Sequence, residues 1–253
     1  ITGNAEANTK VTLFIDSSVL GTTTASNKGA FSFTPSSAID DGNYSLSATS
    51  TDSAGNISSK SAPISITIDT SAPVAPTSLA TSSSITNNST PIITGNAEAN
   101  TKVTLFIDSS VLGTTTASNK GAFSFTPSSA IDDGNYSLSA TSTDSAGNIS
   151  SKSAPISITI DTSAPVAPTS LATSSSITNN STPIITGNAE ADSTITLFNG
   201  DLEIGTATTD SEGAFSITPS TSLEDGNYSL TTKSTDSAGN ISSQSASISI
   251  TID

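Results

Sequence analysis

Shifting the chain by 92 residues superimposes it on itself. Residues 1–69 are identical to 93–161, and 70–92 are identical to 162–184; the third copy departs only from Asp192 onward. An internal period of this size constrains the fold more than any single residue does, because each copy must reach the same structure and present compatible ends to its neighbours. A unit of about 90 residues is large enough to bury its own core, unlike a short solenoid repeat. The expected organisation is therefore independent modules in a row: a partial copy at 1–69 and complete copies at 70–161 and 162–253. The first lacks the counterpart of "TSAPVAPTSLATSSSITNNSTPI", hence its first strand, unless a neighbour supplies one. The chain starts abruptly at Ile1 and reads as an excerpt from a longer polypeptide. Pro73 and Pro76 in "SAPVAP" hold φ near its extended value, so the linker is expected to be short and stiff.

Apolar residues alternate within each copy. Val103, Leu105 and Ile107 share one face, as do Phe123 with Phe125, Tyr136 with Leu138 and Ala140, and Ile156 with Ile158 and Ile160. Period two means strands, and "DSS", "NKG", "DDGN" and "DSAGN" between them suit turns. No segment carries a helical period. About seven short strands in such a length predict an all-β fold, tandem antiparallel β-sandwiches of immunoglobulin type. "DDGNYSL" adds a tyrosine-corner pattern at Tyr136, repeated at Tyr44 and Tyr228, with Asp133 expected to be occupied by the turn and the corner.

Composition narrows function. Seven Lys and Arg against 22 Asp and Glu give a net charge of -15, which repels nucleic acid and anionic lipid. The chain has no Cys, His, Met or Trp, and so lacks the thiols and imidazoles that most nucleophilic, acid-base and transition-metal sites use. An enzyme is not expected. No apolar run is long enough to span a bilayer, so no membrane insertion is expected of this segment.

"ITGNAEANTKVTLF", "GAFSF", "DDGNYSLSATSTDSAGNIS" and "ITIDTSAP", recurring in order, resemble the bacterial immunoglobulin-like repeats of giant secreted adhesins and biofilm-associated surface proteins. The resemblance implies an extracellular rod on the bacterial cell surface, exported by a type I system and often rigidified by calcium. Its partners would be neighbouring repeats of the same chain, with any host, surface or cell receptor engaged by regions outside these residues.

In such a sandwich the "AEAN" and "DSAGN" loops lie at the end where the chain enters, and the last strand delivers "ID" to the other end. Asp69 then arrives beside Glu98 and Asp144 of the next copy, and Asp161 beside Glu190 and Asp236; Glu6 and Asp52 are the equivalents in the first copy. Three converging carboxylates repel unless a cation or protons neutralise them. Calcium, which takes six to eight oxygens in irregular geometry, is the expected cofactor. The alternative for "DSAGN" is a hairpin turn, its Asp making an Asx hydrogen bond and Gly147 supplying positive φ. Three functions remain open: a stalk or spacer stiffened at its junctions, an adhesive module that itself binds a carbohydrate, surface or partner cell, and homotypic pairing of rods.

Overall fold

The structure, a computed structural model, describes all residues from Ile1 to Asp253. They form two compact units, Ile1–Val74 with Thr143–Ser150, and Ala75–Ser142 with Ser151–Asp253. Every regular element is a strand.

The first copy contributes β1 (Thr2–Asn4), β2 (Lys10–Ile15), β3 (Ser18–Thr24), β4 (Ala30–Ser32), β5 (Gly42–Thr51) and β6 (Ile64–Ile68). They make a four-stranded sheet, β3-β2-β5-β6, and a two-stranded one, β1-β4. The second copy has β7 (Thr77–Thr81), β8 (Ile85–Thr86), β9 (Ile93–Asn96), β10 (Lys102–Ile107), β11 (Ser110–Thr116), β12 (Ala122–Phe125), β13 (Gly134–Thr143) and β14 (Ile156–Ile160). Here the sheets are β11-β10-β13-β14-β8 and β12-β9-β7. The third copy repeats this plan with β15 (Thr169–Thr173), β16 (Ile177–Thr178), β17 (Ile185–Asn188), β18 (Thr194–Asn199), β19 (Leu202–Thr208), β20 (Ala214–Ile217), β21 (Gly226–Thr235) and β22 (Ile248–Ile252).

A complete copy thus has one strand more than the seven expected, because its leading strand is broken. β7 runs antiparallel on β9, the chain bends at the serines after Thr81, and β8 joins the opposite sheet parallel to β14. Ser83 Oγ takes the Ile85 N–H at the bend, a local bond that competes with continuing the ladder. The short parallel pairing is the one departure from the all-antiparallel expectation, and it follows from one segment serving two sheets.

The alternating residues meet between the sheets. Val103, Leu105, Leu138, Ala140, Ile158 and Ile160 from one sheet pack with Ile93 and Phe123 from the other, and all are buried. Fully burying a side chain of this size stabilises the fold by about 1.5–3 kcal/mol, so one such face holds a copy together without disulfides. The register of β10 on β11 slips between Leu105 and Phe106, and Ile107 is only partly buried against the core. At Gly121, in the "NKG" turn, φ is +86° and an added Cβ would stand 2.5 Å from the Ala97 carbonyl oxygen. The turn needs a glycine there for both reasons.

The serine-rich stretch after "DSAGN" shows no alternation, yet it is tied to the sheet. Ser153 donates its N–H to the Ala140 carbonyl, 2.8 Å, while its Oγ accepts the Ala140 N–H, 3.0 Å. Ser242 on Ser234 and Ser245 on Thr232 do the same. One serine thereby satisfies both backbone groups of its strand partner, which keeps buried polar atoms paired where a regular strand is absent.

Candidate functional site

The "DSAGN" loop is the recurrent polar feature at the entry end of each copy. In the third copy, Asp236 Oδ1 accepts the N–H groups of Ala238 and Asn240, at 2.9 and 2.8 Å, and Oδ2 accepts the Asn240 side-chain amide at 2.8 Å. Gly239 has φ +93°, which closes the turn. The aspartate is therefore a turn former, as one of the two sequence readings has it.

The Asn240 amide has a second hydrogen, and it donates that to the carbonyl oxygen of Asp161, 2.8 Å away at the end of β14. The same loop receives a second bond: Asn87 N–H, just past β8, donates to the Ala238 carbonyl, 3.1 Å. Both strand ends of the second copy are thus clasped by one loop of the third. Asn240 is only 8 % exposed, so its two bonds form away from bulk water, where leaving either unmade would be costly. The linker lies against this junction: Pro165 and Pro168 are buried, and the Val166 carbonyl accepts from Ser234 Oγ at 3.4 Å.

The same loop in the second copy belongs to the first compact unit. Asp144 Oδ1 accepts from Gly147 and Asn148 N–H, Oδ2 accepts the Asn148 amide at 2.8 Å, and that amide also donates to the Asp69 carbonyl at 3.0 Å. The hydrogen bond from the Asn148 amide, with backbone donors behind it, holds the Asp144 carboxyl below its ordinary range. In the first copy Asp52 makes the same turn with Ala54 and Asn56, and its carboxyl is likewise lowered, foremost by the Asn56 amide. There Asn56 is exposed.

The predicted ligands therefore have the following places. Asp161 and Asp236 belong to one junction, as do Asp69 and Asp144, but what joins each pair is an asparagine amide on a main-chain carbonyl. The Asp69 and Asp161 carboxylates cap their own linkers, accepting the N–H of Ser71 and Ser163. Glu6, Glu98 and Glu190 serve their turns through main-chain carbonyls, which accept from Thr9, Thr101 and Ser193 hydroxyls at 2.7 Å, while their side chains are exposed. No three carboxylates stand close enough together to hold a metal ion.

Two residue types were missed from sequence. One is the asparagine of "DSAGN", whose signal was its presence in all three copies at the position where an amide can reach out of the turn. The other is Asp133. Tyr136 OH donates to the Asp132 carbonyl, 3.0 Å, so the corner does not use the Asp133 side chain. That carboxylate instead accepts from Thr162 N–H and Oγ1 and from Ser163 Oγ, all at 2.9 Å. Asp41 holds Thr70 and Ser71 in the same way. These hydrogen bonds, that of the threonine hydroxyl first, lower both carboxyl pKa values.

Comparison with known proteins agrees with this architecture. A profile described as bacterial Ig-like domain matches residues 1–70, 75–162 and 167–253. Among solved structures, a tetra-tandem repeat from the extending region of a large adhesion protein is 23 % identical, with 100 % of this chain and 69 % of that one covered and a TM-score of 0.33. The BSP domain of a biofilm associated protein is 19 % identical over 84 % of this chain and 42 % of its own, TM-score 0.29. Fibronectin(III)-like modules of Clostridium thermocellum CbhA are 16 % identical over 69 % of this chain and 94 % of theirs, TM-score 0.44. No match emerges among curated proteins. No helix is long and apolar enough to cross a membrane.

Proposed function

Because the chain belongs to the bacterial Ig-like domain family, in three tandem copies, we propose that it serves as spacer repeats within a larger adhesion protein outside the bacterial cell, and that its "DSAGN" loops set the angle between copies. The observation that carries this reading is the clasp in the second unit, where Asn240 and Ala238 of the third copy engage Asp161 and Asn87 of the second. A spacer needs reproducible joints more than variable surfaces, and these joints are made by residues that recur in a verbatim repeat. Catalysis has no part in the proposal, since the junction carboxylates are engaged by turn and linker donors. Aromatic residues make up only 4 % of the chain, which disfavours stacking on sugars as the main task.

The test is nuclear relaxation on the intact chain. Copies two and three should tumble as one body, and Asn240→Ala should let them reorient separately while both keep their folded spectra. Unchanged coupling in the variant would remove the clasp from the proposal.

Calcium at the junction is a second reading, supported by where the Asn240 amide sits. It lies 2.8 Å from both Asp236 Oδ2 and the Asp161 carbonyl, a position between two oxygens that a hard cation could take if the amide swung away, with water completing the shell. Titration calorimetry decides. Saturable heat at millimolar calcium, weakened in Asp236→Asn, is the outcome expected of this reading; no heat leaves the amide as the sole clasp.

A further inference from the structure

A spacer transmits load through the two ends of each of its copies. In the second copy those ends are neighbours: β8, which leads the chain in, lies parallel to β14, which leads it out, with Ile85 opposite Thr159 and Thr86 opposite Ile160. Thr159 N–H donates to the Ser84 carbonyl at 2.7 Å, and Asp161 N–H to the Thr86 carbonyl at 3.0 Å. The third copy repeats the pair, β16 parallel to β22, with Thr251 donating to Ser176 at 2.8 Å and Asp253 to Thr178 at 3.1 Å. Tension pulls the leading end of β8 and the trailing end of β14 in opposite directions. For parallel neighbours that is sliding along the strand axis, so the bonds across the pair must break together. In an antiparallel pair such as β13 and β14, a pull on the two strand ends that lie side by side breaks them one after another.

The junction adds to this pair. Asn87 follows β8 and Asp161 follows β14; because the strands are parallel, both residues leave at the same end, where one loop can reach them. The "DSAGN" loop of the third copy does so: Asn87 N–H donates to the Ala238 carbonyl at 3.1 Å, and the Asn240 amide donates to the Asp161 carbonyl at 2.8 Å. Sliding β8 past β14 therefore has to break bonds to the neighbouring copy as well. Resting on the spacer reading, we propose that β8 and β14 form a tension clamp and that the loop of the following copy locks it, so that a folded neighbour raises the force a copy withstands.

The experiment is single-molecule stretching of the intact chain. The chain has no cysteine, so Ala72→Cys and Ala164→Cys, at exposed linker positions, attach handles that load the second copy alone while the third stays folded beside it. Rupture should release roughly 30 nm in one step, at about 3.3 Å per residue of extended chain. Moving the first handle to Asp132→Cys, just ahead of β13, makes the pull peel β14 from β13 and should lower the rupture force. Asn240→Ala lies outside the loaded stretch, yet should speed rupture of the second copy at fixed force about tenfold, the effect of losing about one buried hydrogen bond; Asn56→Ala should leave it unchanged. Equal rupture forces in the two pulling directions, release in several small steps, or an unchanged rate in Asn240→Ala would each overturn the proposal. None of these outcomes touches the spacer reading, since relaxation coupling between the copies is measured without load.

Discussion

Leu46 and Leu138 occupy the same position in two identical stretches, yet Leu138 is fully buried and Leu46 only half. Phe31 against Phe123 and Ile68 against Ile160 show the same contrast. Nothing within the stretches accounts for it. The strands form at nearly the same places in both copies, β1 and β4 each being one residue shorter than β9 and β12, so local pattern largely suffices for the ladders; burial depends on the segment that, in the second copy, lies before the stretch, covers one sheet edge and plugs the core. Strand formation and core completion are thus separable in this fold.

The largest expected effect tests that separation directly. Leu138→Ala should destabilise the second copy by about 2–5 kcal/mol, the range for deleting a fully buried leucine. Leu46→Ala should cost less than about 2 kcal/mol, because a half-exposed side chain surrenders less surface and leaves no closed cavity. Hydrogen exchange resolved by copy reports both. Equal losses at the two leucines would mean that the segment leading into a repeat does not govern its core.

A smaller difference is expected between Asn240→Ala and Asn56→Ala. The first removes two hydrogen bonds from a buried amide and should cost about 1–2 kcal/mol, read from unfolding of the third copy. The second removes one bond from an exposed turn and should stay within about 0.5 kcal/mol. If the two variants are equally mild, the junction bond to Asp161 contributes nothing.

The smallest expected difference is in acid response, where the two copies should agree. Asp41 and Asp133 both hold linker hydroxyls, a contact that does not involve the leading strand of a repeat, and these hydrogen bonds hold both carboxyls below the ordinary aspartate range. A folded pKa below the unfolded one means that the contribution to stability is present above the unfolded value and is lost as pH falls through the lower folded value. Carboxyl carbon titration by NMR should therefore give two parallel curves below the ordinary aspartate range, with the linker threonine amides of Thr70 and Thr162 shifting in step. Divergent curves would show that the open edge disturbs the linker as well as the core.

Much of the fold was legible because it rests on short-range rules. Val103 and Leu105 alternate, Gly147 takes φ +96° in its turn, and Tyr136 turns its hydroxyl back on the chain. The site was legible only in outline. That Asp161 would meet the loop of Asp236 followed from strand direction, but the group making the contact did not. Asparagine and aspartate are alike as turn residues, and only the placed loop shows that the amide, with two hydrogens to give, reaches the neighbouring carbonyl. Asp133 eluded sequence reading for a related reason: its partners Thr162 and Ser163 lie 29 and 30 residues away, beyond any local pattern.

Period, strand alternation and turn chemistry were determined by sequence alone, since each depends on residues within a few positions of one another and is repeated three times over. The break of the leading strand between two sheets, the serines that stand in for a strand, and the asparagine clasp were decided only by tertiary structure. Each is a hydrogen bond or a packing contact between distant segments, and its strength comes from exclusion of water, which no residue achieves until the rest of the sandwich is in place.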